Sequence, residues 1–405
     1  MKITAVETIA LDEFPNVLWV QVHTDEGLVG LGETFYAVAP VIEHLHQTCA
    51  PYLLGRDPLK IEAISRNFLS TYLGFNSVGV EMRAMSAIDI ALWDLFGQAT
   101  GQPIYQLLGG ACHDRVRVYN TCAGYEYVRS KPVQGTANFG LPARAGGPGR
   151  SYEDLLAFKT DAGALAESLL EMGITGMKIW PFDEAAEASN GTYISNADLK
   201  KALLPFEQIR KAVGERMDIH VEFHSLWQLP AAIRIAQALE AFDPFWYEDP
   251  IKMNNLDALA DYAHRTDVWV TASETLGTRW GFRELFEKRA ASVCMLDVGW
   301  TGGLSEAKKI AAMAEAYALP IAPHDCTGPV LLTASVHLAM NCPNTLVQEI
   351  VRAFYYDWYG KLVTELPPLE DGYIRAPEGP GLGTRLQPGI AQRKDARVKR
   401  SSLGP

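Results

Sequence analysis

Along residues 218–349 short apolar runs recur at a near-constant step, and each ends in a charged or titratable residue: DIHVEFH, PFWYEDP, VWVTASE, ASVCMLD, LPIAPHD and TLVQE. Their terminal groups are Glu222, Glu248, Glu274, Asp297, His324 and Glu349, spaced 26, 26, 23, 27 and 25 residues apart. That step accommodates one strand, one helix and two loops, and a short apolar run is how a parallel strand buried on both faces reads. Between the runs, apolar residues three and four apart predict helices over 229–242, 255–265, 280–289 and 304–317. The alternation predicts an α/β barrel whose C-terminal strand ends converge on one mouth.

The preceding chain has a different rhythm. Residues 1–35 alternate as strands, KITAVETIAL and then VLWVQVHTDEGLVGLGET, with DEG as a hairpin turn. From 41 to 108 the period becomes helical, through RAMSAIDIALWDLFGQATG to GQPIYQLLGG. VRVYNTC is the expected first barrel strand. A barrel core takes about 250 residues of the chain, so a second unit is expected. The expected division is an α+β unit over 1–115, a barrel over 116–364, and a Pro- and Gly-rich segment over 365–405 that returns to the first unit. Residues 126–151, rich in Gly, Pro and Arg, interrupt the pattern after the first barrel strand. As a βα loop this stretch faces the mouth, and both a lid and a mobile insertion are open readings.

Composition narrows the function. A net charge of −12 disfavours nucleic acid or an anionic membrane surface as partner. No apolar run is long enough to span a bilayer, and the N-terminus has no signal-peptide pattern, so a cytoplasmic protein is expected. The cysteines (Cys49, Cys112, Cys122, Cys294, Cys326, Cys342) show no CxxC spacing, which predicts reduced, mostly buried thiols. The expected partners are a small carboxylate substrate and other copies of the chain. An acidic protein that binds an anion needs local positive charge, for which a metal is the natural source.

Glu222, Glu248 and Glu274 end three consecutive strands, and three converging carboxylates repel one another unless a cation neutralises them. Oxygen-only ligands favour Mg²⁺. Asp297 and His324 end two further strands, so the carboxylate can fix the imidazole tautomer and leave the other nitrogen as a base. Cys326 is expected to pack rather than react. His224 follows Glu222 by two residues, which on a strand places both on one side, and a second imidazole there can protonate a leaving hydroxyl. Lys178, in TGMKIW, can pair with a substrate carboxylate or with the metal ligands, and Glu349 can hydrogen-bond the substrate if protonated.

These motifs carry a resemblance. AIDIALWDLFGQATGQPIYQLLGG, the glutamates in VEFH, YEDP and ASET, DVGWTGGLSEAKKIAAMAEAY, APHD, QE and EGPGLG resemble the enolase superfamily in its mandelate racemase-like subgroup, nearly end to end. The resemblance implies a (β/α)₇β barrel under an α+β capping domain built from both chain ends, and Mg²⁺ with a Lys or His base. The Glu222-x-His224 arrangement with APHD most resembles galactonate dehydratase-like sugar-acid dehydratases.

Two departures bear on the reaction. The first metal ligand in such enzymes is commonly Asp, where this chain has Glu222. Racemases of the subgroup carry Lys-x-Lys on the second strand, where this chain has Lys178-Ile-Trp180, and an indole cannot take a proton. The expectation is therefore a hydro-lyase acting on a sugar acid, with a racemase or epimerase, or a non-catalytic homologue, as alternatives. The resemblance also points to cap loops at 11–16 and 73–78: Asp12, Glu13, Asn16 and Asn76 would bind hydroxyls, while Phe14 and Phe75 would exclude water.

Overall fold

The structure is a computed structural model that describes residues 1–70, 78–133, 135–141 and 151–404. Three strands open the chain, β1 (Ile3–Leu11), β2 (Val17–Thr24) and β3 (Val29–Phe35), all antiparallel, with the hairpin register Val22↔Gly30. Period-two alternation divides them between two cores. Leu18, Val20 and Val22 pack with the cap helices, whereas Val17 and Trp19 belong to the cluster that fills the barrel. The long helix Val80–Thr100 lies directly on β3. Gly32 makes that approach possible, because a Cβ there would sit 1.9 Å from the Ala87 carbonyl oxygen.

Parallel strands follow: β4 (Val116–Thr121), β5 (Gly176–Ile179), β6 (Asp218–Glu222), β7 (Trp246–Glu248), β8 (Trp269–Ala272) and β9 (Val293–Cys294), each paired with the next. The run LPIAPHD forms the seventh stave, through the parallel bridges Cys294↔Ile321 and Ile321↔Thr345. It makes no longer ladder, because Pro320 and Pro323 flank Ile321 and lack an N–H. β10 (Gln348–Ile350) then pairs parallel with β4, so the pairings close an eight-membered ring.

The helices Leu229–Leu239, Leu256–Ala263, Thr278–Glu287 and Gly303–Ala316 fall where the apolar period put them, within a few residues at each end. The hairpin β11 (Leu369–Glu370) and β12 (Tyr373–Ile374) adds to β4, and β13 (Ala396–Ser402) pairs antiparallel with β1. The last strand thus completes the N-terminal sheet.

Cap and barrel are joined by buried acids that meet backbone N–H groups. Asp89 accepts from Ser305 N–H in the first turn of Gly303–Ala316 at 2.9 Å, and Glu33 accepts from Leu331 N–H in the first turn of Pro329–Asn341 at 3.0 Å. A carboxyl there meets N–H groups that have no partner within the helix. Burial pushes Glu33 up to about 8 and Asp89 up to about 6 despite these bonds.

Candidate active site

At the C-terminal ends of the staves the carboxylates gather around one ammonium. Lys178, on β5, is buried, and its Nζ lies 2.6 Å from Glu248 Oε1, 2.9 Å from Glu349 Oε1 and 3.4 Å from Glu222 Oε2. Burial works against its charge, but Glu248 and Glu349 outweigh that and hold the lysine well above its usual range. Burial likewise works against ionised Glu349, yet Lys178 and His324 hold that carboxyl down at about 2. Glu349 accepts from the Thr121 hydroxyl and from Asp325 N–H at 2.9 Å, and its neighbours favour the ionised form, whereas the substrate hydrogen bond suggested by the sequence is conditional on a protonated carboxyl.

Two imidazoles flank this cluster. His324 Nδ1 lies 2.7 Å from Asp297 Oδ2, and its Nε2 lies 3.9 Å from Glu349 Oε2. Burial opposes its charged form, but Glu349, the Asp297 hydrogen bond and Glu274 push it up to about 10. His224 Nδ1 lies 2.7 Å from Asp183 Oδ2; burial opposes its charge too, while Asp183 and Glu222 push it up to about 9. β6 is the third stave and the His324 run the seventh, so the two imidazoles rise from opposite sides of an eight-membered ring.

His224 reaches the site by a different route from the strand argument. β6 ends at Glu222, and both His224 (φ +49°) and Ser225 (φ +56°) are left-handed. Glu222 Oε1 accepts from the N–H groups of Phe223 at 2.9 Å and His224 at 2.6 Å, so the backbone curls around the carboxylate. The turn, not strand periodicity, brings the imidazole to the cavity.

The cavity offers ≈ 460 Å³ of space, open solvent included, and is lined by Lys178, Glu222, His224, Glu274 and His324 together with Thr121, Cys326 and a ring of aromatic side chains. Phe35 and Tyr36 come from the cap, Tyr127 and Phe139 from the loop after β4, and Trp180 and Trp300 from later strand ends. None of these walls was singled out from the sequence as a site residue. Trp180 keeps a buried N–H with no acceptor among the described residues. Burial and Glu349 push the Cys326 thiol well up, so it stays protonated and packs.

The expected cap contacts are otherwise engaged. Asn16 donates to the carbonyls of Val128 and Ser130 at 3.1 and 3.0 Å, Glu13 pairs with Arg129 and Arg393, and Asp12 pairs with Arg397. Phe14 packs on Trp358 with centroids 4.8 Å apart. Asn16, through Val128 and Ser130, and Glu13, through Arg129, tie cap to barrel, while Asp12 pairs within the cap and Asn16 Oδ1 keeps no partner among the described residues. Phe75 and Asn76 lie outside the described residues, as does part of the loop 126–151.

Among the described residues no three carboxylate, imidazole or thiol groups are gathered into a ligand set; Lys178 bridges Glu222 and Glu248 instead. The donor chemistry nevertheless suits a hard cation. Among the described residues Glu274 keeps a buried Oε2 with no partner, and it lines the same cavity as Glu222, which shares Lys178 with the carboxyls of Glu248 and Glu349. Oxygen donors with surplus negative charge fit Mg²⁺.

Comparison with known proteins agrees with this architecture. Residues 4–109 match the mandelate racemase/muconate lactonizing enzyme N-terminal domain, and residues 161–390 match the enolase C-terminal domain-like family. A D-xylonate dehydratase of Haloferax volcanii is 30% identical over 95% of this chain and 87% of its own length. A D-galactonate dehydratase of Ralstonia nicotianae is 30% identical over 100% of this chain and 96% of its own. Among solved structures, an enolase of the mandelate racemase subgroup from Agrobacterium tumefaciens is 52% identical, with a TM-score of 0.87 over 99% of both chains. With both domain models matched in order and relatives aligned along its whole length, the chain belongs to the enolase superfamily, in its mandelate racemase subgroup.

Proposed function

We propose that this chain is a hydro-lyase that dehydrates a sugar acid, an aldonate or aldarate, to a 2-keto-3-deoxy acid. The dehydratase relatives aligned along the chain support the reaction class. The observation that carries the assignment of roles is the pair of Asp-tethered imidazoles facing each other across one cavity. Loss of a β-hydroxyl needs one base and one acid, and this pair supplies both.

His324 Nε2 takes the proton α to the carboxylate, and Asp297 steadies the imidazolium that forms. The electron pair released from the C–H bond enters the carboxylate as an enediolate. Its collapse breaks the Cβ–O bond, and His224 Nε2 gives a proton to the departing oxygen, which leaves as water. An imidazole held protonated at neutral pH suits that acid role. His324 must first shed its own proton, which Glu349, Asp297 and Glu274 hold on; a cation held by Glu274 would offset one of those charges and ease that loss. Lys178 presents positive charge beside the substrate carboxylate while holding Glu248 and Glu349 in place.

Glu222, Glu248 and Glu274 are the residues that would hold Mg²⁺, which when bound supplies Lewis-acid stabilisation of the charge developing on the carboxylate. A screen of hexonates, pentonates and aldarates for 2-keto-3-deoxy product, with Mg²⁺ present, tests the assignment. If every substrate stays untouched and no α-proton exchanges with solvent deuterium, the reading is lost.

A further inference from the structure

Asp183 opens the helix Asp183–Ser189 and is fully buried; Glu187, one turn on, shares its face. The two carboxylates grip different partners. Asp183 Oδ2 holds His224 Nδ1, while Glu187 Oε2 accepts from the Thr136 N–H at 3.2 Å and from the Thr136 hydroxyl. Thr136 begins the turn Thr136–Phe139, and Phe139 lays its ring on the His224 imidazole with centroids 3.9 Å apart and planes 3° from parallel. Asn138 of the same turn donates to the Tyr36 hydroxyl of the cap at 2.9 Å.

Close approach of the turn to this helix depends on Gly135. Its φ is +89°, and a Cβ there would lie 2.2 Å from Glu187 Oε1. His224 is thereby held at Nδ1 by Asp183, on one face by Phe139, and by the edge of Trp180 at 5.7 Å. Its Nε2 is the one ring nitrogen without a hydrogen-bond partner among the described residues. An aromatic face also favours the cationic form of the ring stacked on it.

We propose that Asp183 and Phe139 are positioning residues for His224, and that Glu187 couples them, so that the imidazole is aligned only while the Thr136–Phe139 turn is seated on this helix. The proposal rests on the reading of His224 as the acid that protonates the departing hydroxyl. A general acid contributes about 10²- to 10⁴-fold in rate, and loss of its alignment forfeits part of that.

Two measurements test it. In D₂O with a turned-over sugar acid, Asp183→Asn is expected to slow dehydration by about 10- to 100-fold with KM unchanged, while α-proton exchange through His324 continues. Phe139→Leu and Glu187→Gln are expected to act in the same direction, and Phe139→Tyr to restore the rate. Independently of turnover, NMR of histidine-labelled protein is expected to show the His224 ring C–H signals displaced by the Phe139 ring current. They should relax in Phe139→Leu and Glu187→Gln and stay in Phe139→Tyr. Exchange and dehydration falling in step in Asp183→Asn, or a Glu187→Gln protein whose His224 signals do not move, would overturn the proposal. A wild-type protein with neither exchange nor dehydration, but with the expected NMR response, would sink the dehydratase reading and leave the positioning supported.

Discussion

The Lys178 ammonium lies 2.6 Å from Glu248 Oε1, reaching from β5 past β6 to the end of β7. With Glu349 and Glu222 it forms a buried cluster in which one cation serves three acids. Removing one partner of a buried ionic cluster costs about 3 to 5 kcal/mol, because the charges left behind have lost their hydration. Lys178→Met is therefore expected to abolish turnover and to lower the unfolding free energy, read from a shifted urea midpoint, by an amount of that order. An unchanged midpoint would mean that the carboxylates are compensated by something other than this lysine.

Metal dependence can be read without turnover. A ligand present at 100 times its Kd stabilises the folded state by about 2.7 kcal/mol. Mg²⁺ is expected to raise the melting temperature of chelator-treated wild-type protein and to restore its activity. Glu248→Gln should show neither response. A Glu248→Gln protein that gains the full thermal shift would exclude that residue as a ligand.

The histidines divide the reaction. His224→Asn is expected to cut dehydration by about 10²- to 10⁴-fold while α-proton exchange with solvent persists. His324→Asn should lose both. Deuterium incorporation followed by mass spectrometry separates the two, and loss of exchange in His224→Asn would reverse the assignment.

A second buried pair braces the barrel just past Glu349. Arg352 meets Asp154 through two bonds of 2.8 Å, and Asn120 of β4 donates to the same carboxylate at 2.9 Å. Arg352→Met strands Asp154 and is expected to cost about 3 to 5 kcal/mol of unfolding free energy, while Arg352→Met with Asp154→Leu should cost less. Lys at 352 should not rescue, since an ammonium cannot match the paired geometry. Denaturant titration of the three variants decides it, and equal loss in the single and double variants would count against the pair.

The His337 ring couples cap, barrel and tail. Its Nδ1 accepts from the Tyr105 N–H at 3.3 Å and its Nε2 donates to the Leu382 carbonyl at 3.1 Å, which requires the neutral ring. Burial holds it down at about 4, below its ordinary 6.5. The contribution is therefore complete above pH 6.5 and is lost as pH falls towards 4, about 2 to 3 kcal/mol by pH 4.5. His337→Gln should lose less stability than wild type between pH 7 and pH 4.5. Parallel pH profiles for the two proteins would refute this.

By itself the sequence determined the alternation of the barrel, the hairpin, and the placement of Glu222, Glu248, Asp297, His324 and Glu349 at or just past the ends of its staves. Those features are local: a strand's period and its boundary are written in a few consecutive residues. The helix Pro329–Asn341 escaped that reading because it is buried on every side and carries no amphipathic period. Only the tertiary structure decided the partnerships. Asp183 and His224 are 41 residues apart in the chain, Phe139 meets His224 from another loop, and Asn16 is engaged by carbonyls more than a hundred residues away. Which carboxylate a cation or imidazole meets depends on how the staves order around the ring and on which polar groups the cap joint consumes. Neither leaves a mark on the residues next to it in sequence.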